Sequence, residues 1–261
     1  MFTEGRQILN REPSLLCEKY GYRIIHQTWK SYTVPKKLIA YHQSWVRHHP
    51  DALIILWSDD DNMNLVKQYY PQFLDSYILL TPIQKSDLAR ILILHRYSGL
   101  YADLDYEAFT NLFKTPEIQN EKKSVLIVES PILLNEVMQN SLMFSRVRNH
   151  EFYIQVAQNI CKVTKFIYKK KDTTDHTTVN GLSLFRNKFT SKFSNMLFTI
   201  YISGPAMLDK TYAQMSIQDK HTKDIGILPY LQYFEGEYAK HHQASTWVNV
   251  ASSLKYAIIA L

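Results

Sequence analysis

Two carboxylates, Asp103 and Asp105, stand two residues apart at the end of the run Gly99-Leu100-Tyr101-Ala102-Asp103-Leu104-Asp105. On a strand, side chains alternate between faces, so both carboxylates share one face and Leu104 takes the other. Like charges at that spacing repel unless a cation sits between or beyond them. Manganese or magnesium fits that place, because hard divalent ions take carboxylate oxygens together with the phosphate oxygens of a substrate. The chemistry this implies is the handling of a nucleotide diphosphate beside Asp105. Upstream, Asp87 and Arg90 lie at i and i+3 on one helix face, where an arginine can bind phosphate or a sugar hydroxyl. An Asp-x-Asp by itself also occurs in exposed turns, so its weight comes from the elements that hold it.

Those elements can be read in order. In residues 83–97 the apolar Leu88, Ile91, Leu92, Leu94 and Tyr97 recur at spacings of mostly three and four, which predicts an amphipathic helix. Thr81-Pro82 starts it, and Ser98-Gly99 stops it with Gly99 in the left-handed conformation. Residues 23–29 read as the first, central strand, and Pro35 opens a helix over 36–49. The clustered His42, His48 and His49 read as an exposed helix end. Residues 52–57 are a continuous apolar run suited to a buried parallel strand, which completes a βαβ unit. Ser58 or Asp59 reads as the N-cap of a helix running to Tyr70, and Pro71 and Pro82 bracket a short helical piece over 72–80. Further strands are expected over 124–129 and 140–145, and helices from 153 to about 165 and over 205–215.

Composition narrows the class. At 261 residues and 46% hydrophobic content, one large α/β domain over 1–261 is expected, with residues 1–20 as a leading arm and 153–200 as a variable region on the acceptor side. The net charge is +6 and the pI about 9.1, yet Lys and Arg are dispersed apart from Lys169-Lys170-Lys171. That dispersal speaks against a nucleic-acid module, while the positive excess favours anionic donors or an anionic membrane surface without identifying either. Cys17 and Cys161 form no metal-ligand spacing, and a reducing compartment is the default. No apolar run approaches the roughly 20 residues that cross a bilayer, which excludes a transmembrane segment and leaves peripheral membrane contact open. Residues 248–261 end in an apolar stretch suited to docking on the core.

With Ser86-Asp87-Leu88-Ala89-Arg90, the helix after it and the run from Gly99 to Asp105, the sequence resembles glycosyltransferase family 32, the sugar transferases named for their DXD motif. Where that family has two glycines before its tyrosine, this chain has Ser98-Gly99. The resemblance implies a GT-A-like, Rossmann-related nucleotide-sugar-binding fold with a mixed, mostly parallel sheet flanked by helices. It implies a retaining transfer of a hexose from a UDP- or GDP-sugar to a hydroxyl of a glycan, lipid or protein. Asp105 then ligates manganese or magnesium, Asp103 holds the ribose or donor sugar and reaches the metal through water, and Asp87 and Arg90 bind sugar hydroxyls and phosphate. In the segment Ile25-His26-Gln27-Thr28-Trp29-Lys30, Trp29 stacks on the base and His26 or Gln27 lines the site. Tyr101, Asn140 and Gly204 join the donor site. By likeness to toxin glucosyltransferases, His242 and Ser245 hold the metal and the Trp247 indole faces the leaving phosphate. Read from the residues alone, Trp29 and His26 are also packing positions and 241–247 a surface loop. Relatives are Golgi proteins with a membrane anchor, so a chain without one is expected in the cytoplasm of a microbe or of a virus-infected cell, or is a trimmed Golgi enzyme. The alternative is a non-catalytic nucleotide-sugar or glycan-binding protein of the same fold.

Overall fold

A computed structural model describes residues 2–130, 137–169, 198–217 and 222–243. The first half contains β1 (Thr3–Glu4), α1 (Arg6–Leu9), α2 (Pro13–Tyr20), β2 (Ile24–Thr28), α3 (Lys36–His48), β3 (Leu53–Trp57), α4 (Asp59–Tyr69), α5 (Leu74–Leu79) and α6 (Pro82–Tyr97). There follow β4 (Gly99–Ala102), β5 (Tyr106–Ala108), α7 (Pro116–Gln119), β6 (Val125–Glu129), β7 (Met138–Ser145) and α8 (Glu151–Lys169). The last are α9 (Pro205–Ile217), β8 (Ile225–Leu228), α10 (Tyr230–Tyr233) and β9 (Ala239–His241). Seven strands form one sheet in the order β1-β3-β2-β4-β7-β6-β8, while β5 and β9 pair in a separate ribbon. Within the large sheet β7 runs against β4 and β6, and every other pair is parallel.

The apolar runs form strands because both sheet faces are covered. Ile24, Ile55, Trp57, Tyr101 and Met143 belong to one core cluster, and their strand neighbours Ile25, Ile54, Leu100, Ala102 and Leu142 to another. This is the period of two, with an apolar residue demanded on each side. Helix α6 departs from the amphipathic reading. Its buried residues run without a gap from Asp87 to Leu94, because α2, α4 and α8 pack on it as well as the sheet. Its start is a capping box in which the Thr81 amide donates to Gln84 Oε1 at 3.0 Å and the Gln84 amide to Thr81 Oγ1 at 3.5 Å. Ser58 and Asp61 form a second box at α4, as the cap reading requires.

Four expectations change. The leading arm supplies an edge strand, β1 beside β3, so β2 is interior but not the first strand. The acidic run is not one continuous strand: β4 ends at Ala102, and the Tyr106 amide donates to the Asp103 carbonyl at 3.0 Å, closing a turn over Asp103-Leu104-Asp105. His42 and His49 are buried rather than at an exposed end, with His49 Nδ1–H bonded to the Trp45 carbonyl at 3.0 Å and its Nε2 accepting from the Leu112 amide at 2.9 Å. At the end of α6 it is Ser98 that first takes a positive φ, 57°, with Gly99 following at 94°. Gly99 is demanded by contact as well as conformation, since a Cβ there would lie 2.4 Å from the Ile24 carbonyl oxygen.

Two tests follow from these contacts. Gly99→Ala should cost at least about 2 kcal/mol of folding stability by urea denaturation, and an unchanged midpoint would show that the close approach to Ile24 relaxes freely. His26 is fully buried, donating from Nε2 to the Ser98 carbonyl at 2.8 Å and accepting the Trp57 indole N–H at 3.2 Å. Burial lowers its pKa from 6.5 to about 4, against the Ser98 hydrogen bond. The native ring is therefore neutral, and as pH falls through 6.5 the unfolded chain takes up a proton that the native state refuses until about pH 4. The contribution present above pH 6.5 is lost on acidification, by about 2 kcal/mol at pH 5. His26→Gln should thus be less stable than wild type at pH 7, with the gap narrowing by pH 5; a gap independent of pH would contradict the assignment.

Candidate functional site

Beyond the end of β4, the Asp103 amide donates to the Ser141 carbonyl of β7 at 2.9 Å, so the turn leaves the sheet at a fixed angle. It then enters β5, whose partner β9 pairs His241 with Tyr106. The His242 amide donates to the Asp105 carbonyl at 3.0 Å, and His241 Nε2 lies 3.0 Å from Asp105 Oδ1. Asp103, Asp105 and His241 each present one ligand atom, and these atoms lie within 4.8 Å of one another. The His241 ring is held between Tyr106, at 4.6 Å between centroids, and Phe234, at 4.8 Å. Two carboxylates are the donors that magnesium and manganese take, and an imidazole from a rigid neighbouring strand completes a set that a divalent ion can use.

Arg90 stands behind this cluster. Its Nη1 lies 3.0 Å from Asp103 Oδ1 and 2.9 Å from the Asn140 carbonyl, and its Nη2 lies 3.4 Å from Asp87 Oδ1. The remaining donors reach Ser86, whose carbonyl and hydroxyl are each 3.3 Å away, and the guanidinium carbon lies 4.7 Å from the Tyr101 ring centroid. Tyr101 donates to Asp103 Oδ1 at 2.8 Å and accepts from the Thr28 hydroxyl at 2.9 Å. Asp87 is closed on both oxygens, by Asn140 Nδ2 at 2.9 Å and by the Ser203 hydroxyl at 2.7 Å. Burial raises the Asp87 pKa to about 6, with Arg90 and Ser203 holding it down, so the carboxylate is charged at pH 7. Burial opposes the charge on Arg90, but Asp103, Tyr101 and Asp87 more than offset it and keep the guanidinium protonated. Burial also pushes the Asp103 carboxyl up, against Arg90. Asp103 nonetheless leaves 26% of its side chain exposed, so it can meet a ligand where Asp87 cannot.

The sequence-predicted residues separate into those brought together and those kept apart. Asp87, Arg90, Tyr101, Asp103, Asp105 and Asn140 converge, with Asn140 acting on Asp87 and Arg90. His241, not His242, faces Asp105, because successive residues of an extended strand point oppositely. His242 instead bonds Glu107 Oε2 at 2.8 Å and stacks on Tyr41 at 4.2 Å. His26 lies in the core, away from the acidic cluster. Gln27 is buried too, its Oε1 2.7 Å from His42 Nδ1. Trp29 is half-buried against Leu38, Leu56 and Leu104, so it flanks the acidic turn. Gly204 closes the turn before α9, where a Cβ would lie 3.0 Å from Ile200 Cα. Ser245 and Trp247 lie outside the described residues. Thr28 and Ser86 stood inside the two motifs that carry the resemblance but were given no role there, His241 stood next to a chosen histidine, and Ser203 carried no signal.

Comparison with known proteins adds to this geometry. Residues 35–125 match the family described as "Glycosyltransferase sugar-binding region containing DXD motif". A mannosyl phosphorylinositol ceramide synthase of Saccharomyces cerevisiae is 30% identical over 164 residues, covering 61% of this chain and 39% of that protein. Inositol phosphoceramide mannosyltransferase 3 of Schizosaccharomyces pombe is 38% identical over 84 residues, covering 32% of this chain and 24% of that protein. The matches thus span well under half the length of these relatives. Among solved structures, the ligand-free glycosyltransferase domain of the YGT toxin superposes with a TM-score of 0.53 at 9% identity, covering 81% of this chain and 80% of that one. At that identity the likeness concerns the fold, which is GT-A.

The Arg90 contacts predict an asymmetric cost. Arg90→Met removes the cation between two carboxylates, one of them fully closed off from water, and should destabilise the protein by about 3 kcal/mol or more. Urea denaturation at pH 7 measures it, and a loss below about 0.5 kcal/mol would show that the ion pairs contribute as little as surface ones.

Proposed function

We propose that this chain, whose residues 35–125 match the DXD-containing sugar-binding family and whose fold is GT-A, is a metal-dependent, retaining glycosyltransferase. It moves a hexose from a nucleotide-diphosphate sugar to a hydroxyl of a glycan, glycolipid or protein. The observation that carries the reading is the convergence of Asp103, Asp105 and His241 directly against the Arg90–Asp87 pair. Retention is supported by the family likeness alone. The names of the two yeast relatives speak of mannosyl transfer and inositol phosphoceramide, which favours a mannosyl donor and a lipid-borne hydroxyl. A reducing compartment such as the cytoplasm suits Cys17 and Cys161, both free thiols. No helix among the described residues is long and apolar enough to cross a membrane.

The barrier to sugar transfer comes largely from charge that develops on the departing diphosphate. A bound manganese or magnesium ion supplies the Lewis acidity that neutralises it. Asp105 and His241 hold that ion, and Asp103 divides its oxygens between the ion or sugar and the Arg90–Tyr101 side. Arg90 and Asp87 are positioning residues in this scheme: their polar atoms are occupied within the protein and they act by fixing Asp103. Trp29, packed against the cluster of Leu38, Leu56 and Leu104, offers the flat apolar surface for a base. Ser245 and Trp247 remain assigned to metal and leaving group by likeness.

The test is manganese-dependent hydrolysis of a panel of UDP- and GDP-sugars by wild type and by Asp105→Asn. One donor should be hydrolysed, with the rate falling about a hundredfold or more in the variant and on chelation of the metal. Near wild-type turnover by Asp105→Asn would remove the assigned role. Donor binding without hydrolysis by wild type would instead favour a non-catalytic nucleotide-sugar-binding protein.

A further inference from the structure

We propose that the surface formed by the end of α5 and the C-terminal half of α8 docks on an anionic lipid surface. Ile78 and Leu79, the consecutive apolar residues near the end of α5, are 56% and 43% exposed. Helix α5 packs on α8, where the Ser76 hydroxyl lies 3.5 Å from the Cys161 carbonyl. That contact brings the exposed Lys162 and Lys165, one turn apart on α8, to the side of the exposed apolar pair. Lys85 Nζ lies 5.8 Å from the ring centroid of Tyr77, the residue before Ile78. Asp75 stands in the first turn of α5, away from its end, and Asp59 is paired electrostatically with Lys85.

Apolar side chains flanked by lysines match a bilayer interface, where the apolar groups enter the acyl boundary and the ammonium groups meet anionic headgroups. A protein partner would need shape complementarity over a wider area, whereas a lipid surface needs only these two properties. The position also has a use. Residues Leu80 and Thr81 link the patch directly to α6, and Asp87 lies about 8 Å along that helix from its first residue. Docking there would set the acidic turn near acceptors carried by lipid, an orientation whose purpose rests on the transferase reading although the lipid binding does not.

The experiment is sedimentation of the whole chain with vesicles of phosphatidylcholine alone and of phosphatidylcholine mixed with phosphatidylserine. Wild type should sediment with the mixed vesicles and release in high salt. Ile78→Ser/Leu79→Ser and Lys162→Glu/Lys165→Glu should each bind about tenfold more weakly, while retaining wild-type hydrolysis of a soluble sugar nucleotide. All four residues are exposed, so both variants are expected to fold. Wild type left in the supernatant with both vesicles overturns the proposal, as does undiminished binding of the Ile78→Ser/Leu79→Ser variant. Equal binding to pure phosphatidylcholine overturns the anionic assignment. Hydrolysis without vesicles is scored separately, so failure of the transferase reading and failure of docking are distinguishable.

Discussion

A guanidinium removed from water between two carboxylates is the constraint on which the rest of this structure depends. Desolvating Arg90 costs several kcal/mol unless its donors are matched, and each match comes from a different part of the chain. Ser86 lies within α6, Asn140 on β7 and Asp103 beyond β4. Through Asp87 the same centre reaches Ser203, ahead of α9, and through Tyr101 it reaches Thr28 at the end of β2. One buried cation thereby fixes the relative placement of two parallel strands, one antiparallel strand, the central helix and a segment more than a hundred residues away. A shift in any of them would leave a buried charge or an amide without its partner.

The backbone makes this possible by ending the sheet early. Had β4 continued through Asp105, the two carboxylates would share a face but would remain tied to a flat ladder. The turn closed by the Tyr106 amide instead sends Asp103 back toward Arg90 and Asp105 forward toward the β5–β9 ribbon. That division relies on β7 running against its neighbours, since its Asn140 and Ser141 carbonyls meet the Arg90 guanidinium and the Asp103 amide. Gly99 is the corresponding demand at the other end of β4, where the chain passes too close to Ile24 for any side chain.

What the sequence makes legible follows from how local each cause is. The runs at 52–57 and 124–129 announce strands buried on both faces, and Thr81-Pro82 announces the helix that carries Asp87 and Arg90, because each signal lies within a few residues of its effect. The all-round burial of α6 was not legible, since it depends on α2, α4 and α8 arriving from elsewhere. His241 and His242 look equivalent until the register of β9 against β5 is known, and a shift of one residue exchanges them. Asp103-Leu104-Asp105 reads as the end of a strand because the alternation of the run from Gly99 continues through it, and the turn depends on the Tyr106 amide meeting the Asp103 carbonyl. Ser203 had no local signature: a lone serine gains its role only by meeting Asp87, 116 residues distant in sequence.

Charge counting links the buried network to the proposed chemistry. Three carboxyl groups, those of Asp87, Asp103 and Asp105, meet at this centre, and of these Arg90 is within ion-pair distance of Asp87 and Asp103. The contacts of Arg90 lie on the buried side, toward Asp87 and the Oδ1 atom of Asp103. Asp103 and Asp105 are the carboxyl groups left partly open, and theirs is the side from which a divalent cation and a diphosphate would approach. A second arginine at that rim would close the centre electrostatically and remove its affinity for metal, and loss of Arg90 would leave the carboxylates too repelled to stay together. The arrangement is poised between those limits: fixed donors are held in place before a ligand arrives, so charge developing on a leaving phosphate meets an environment that need not reorganise.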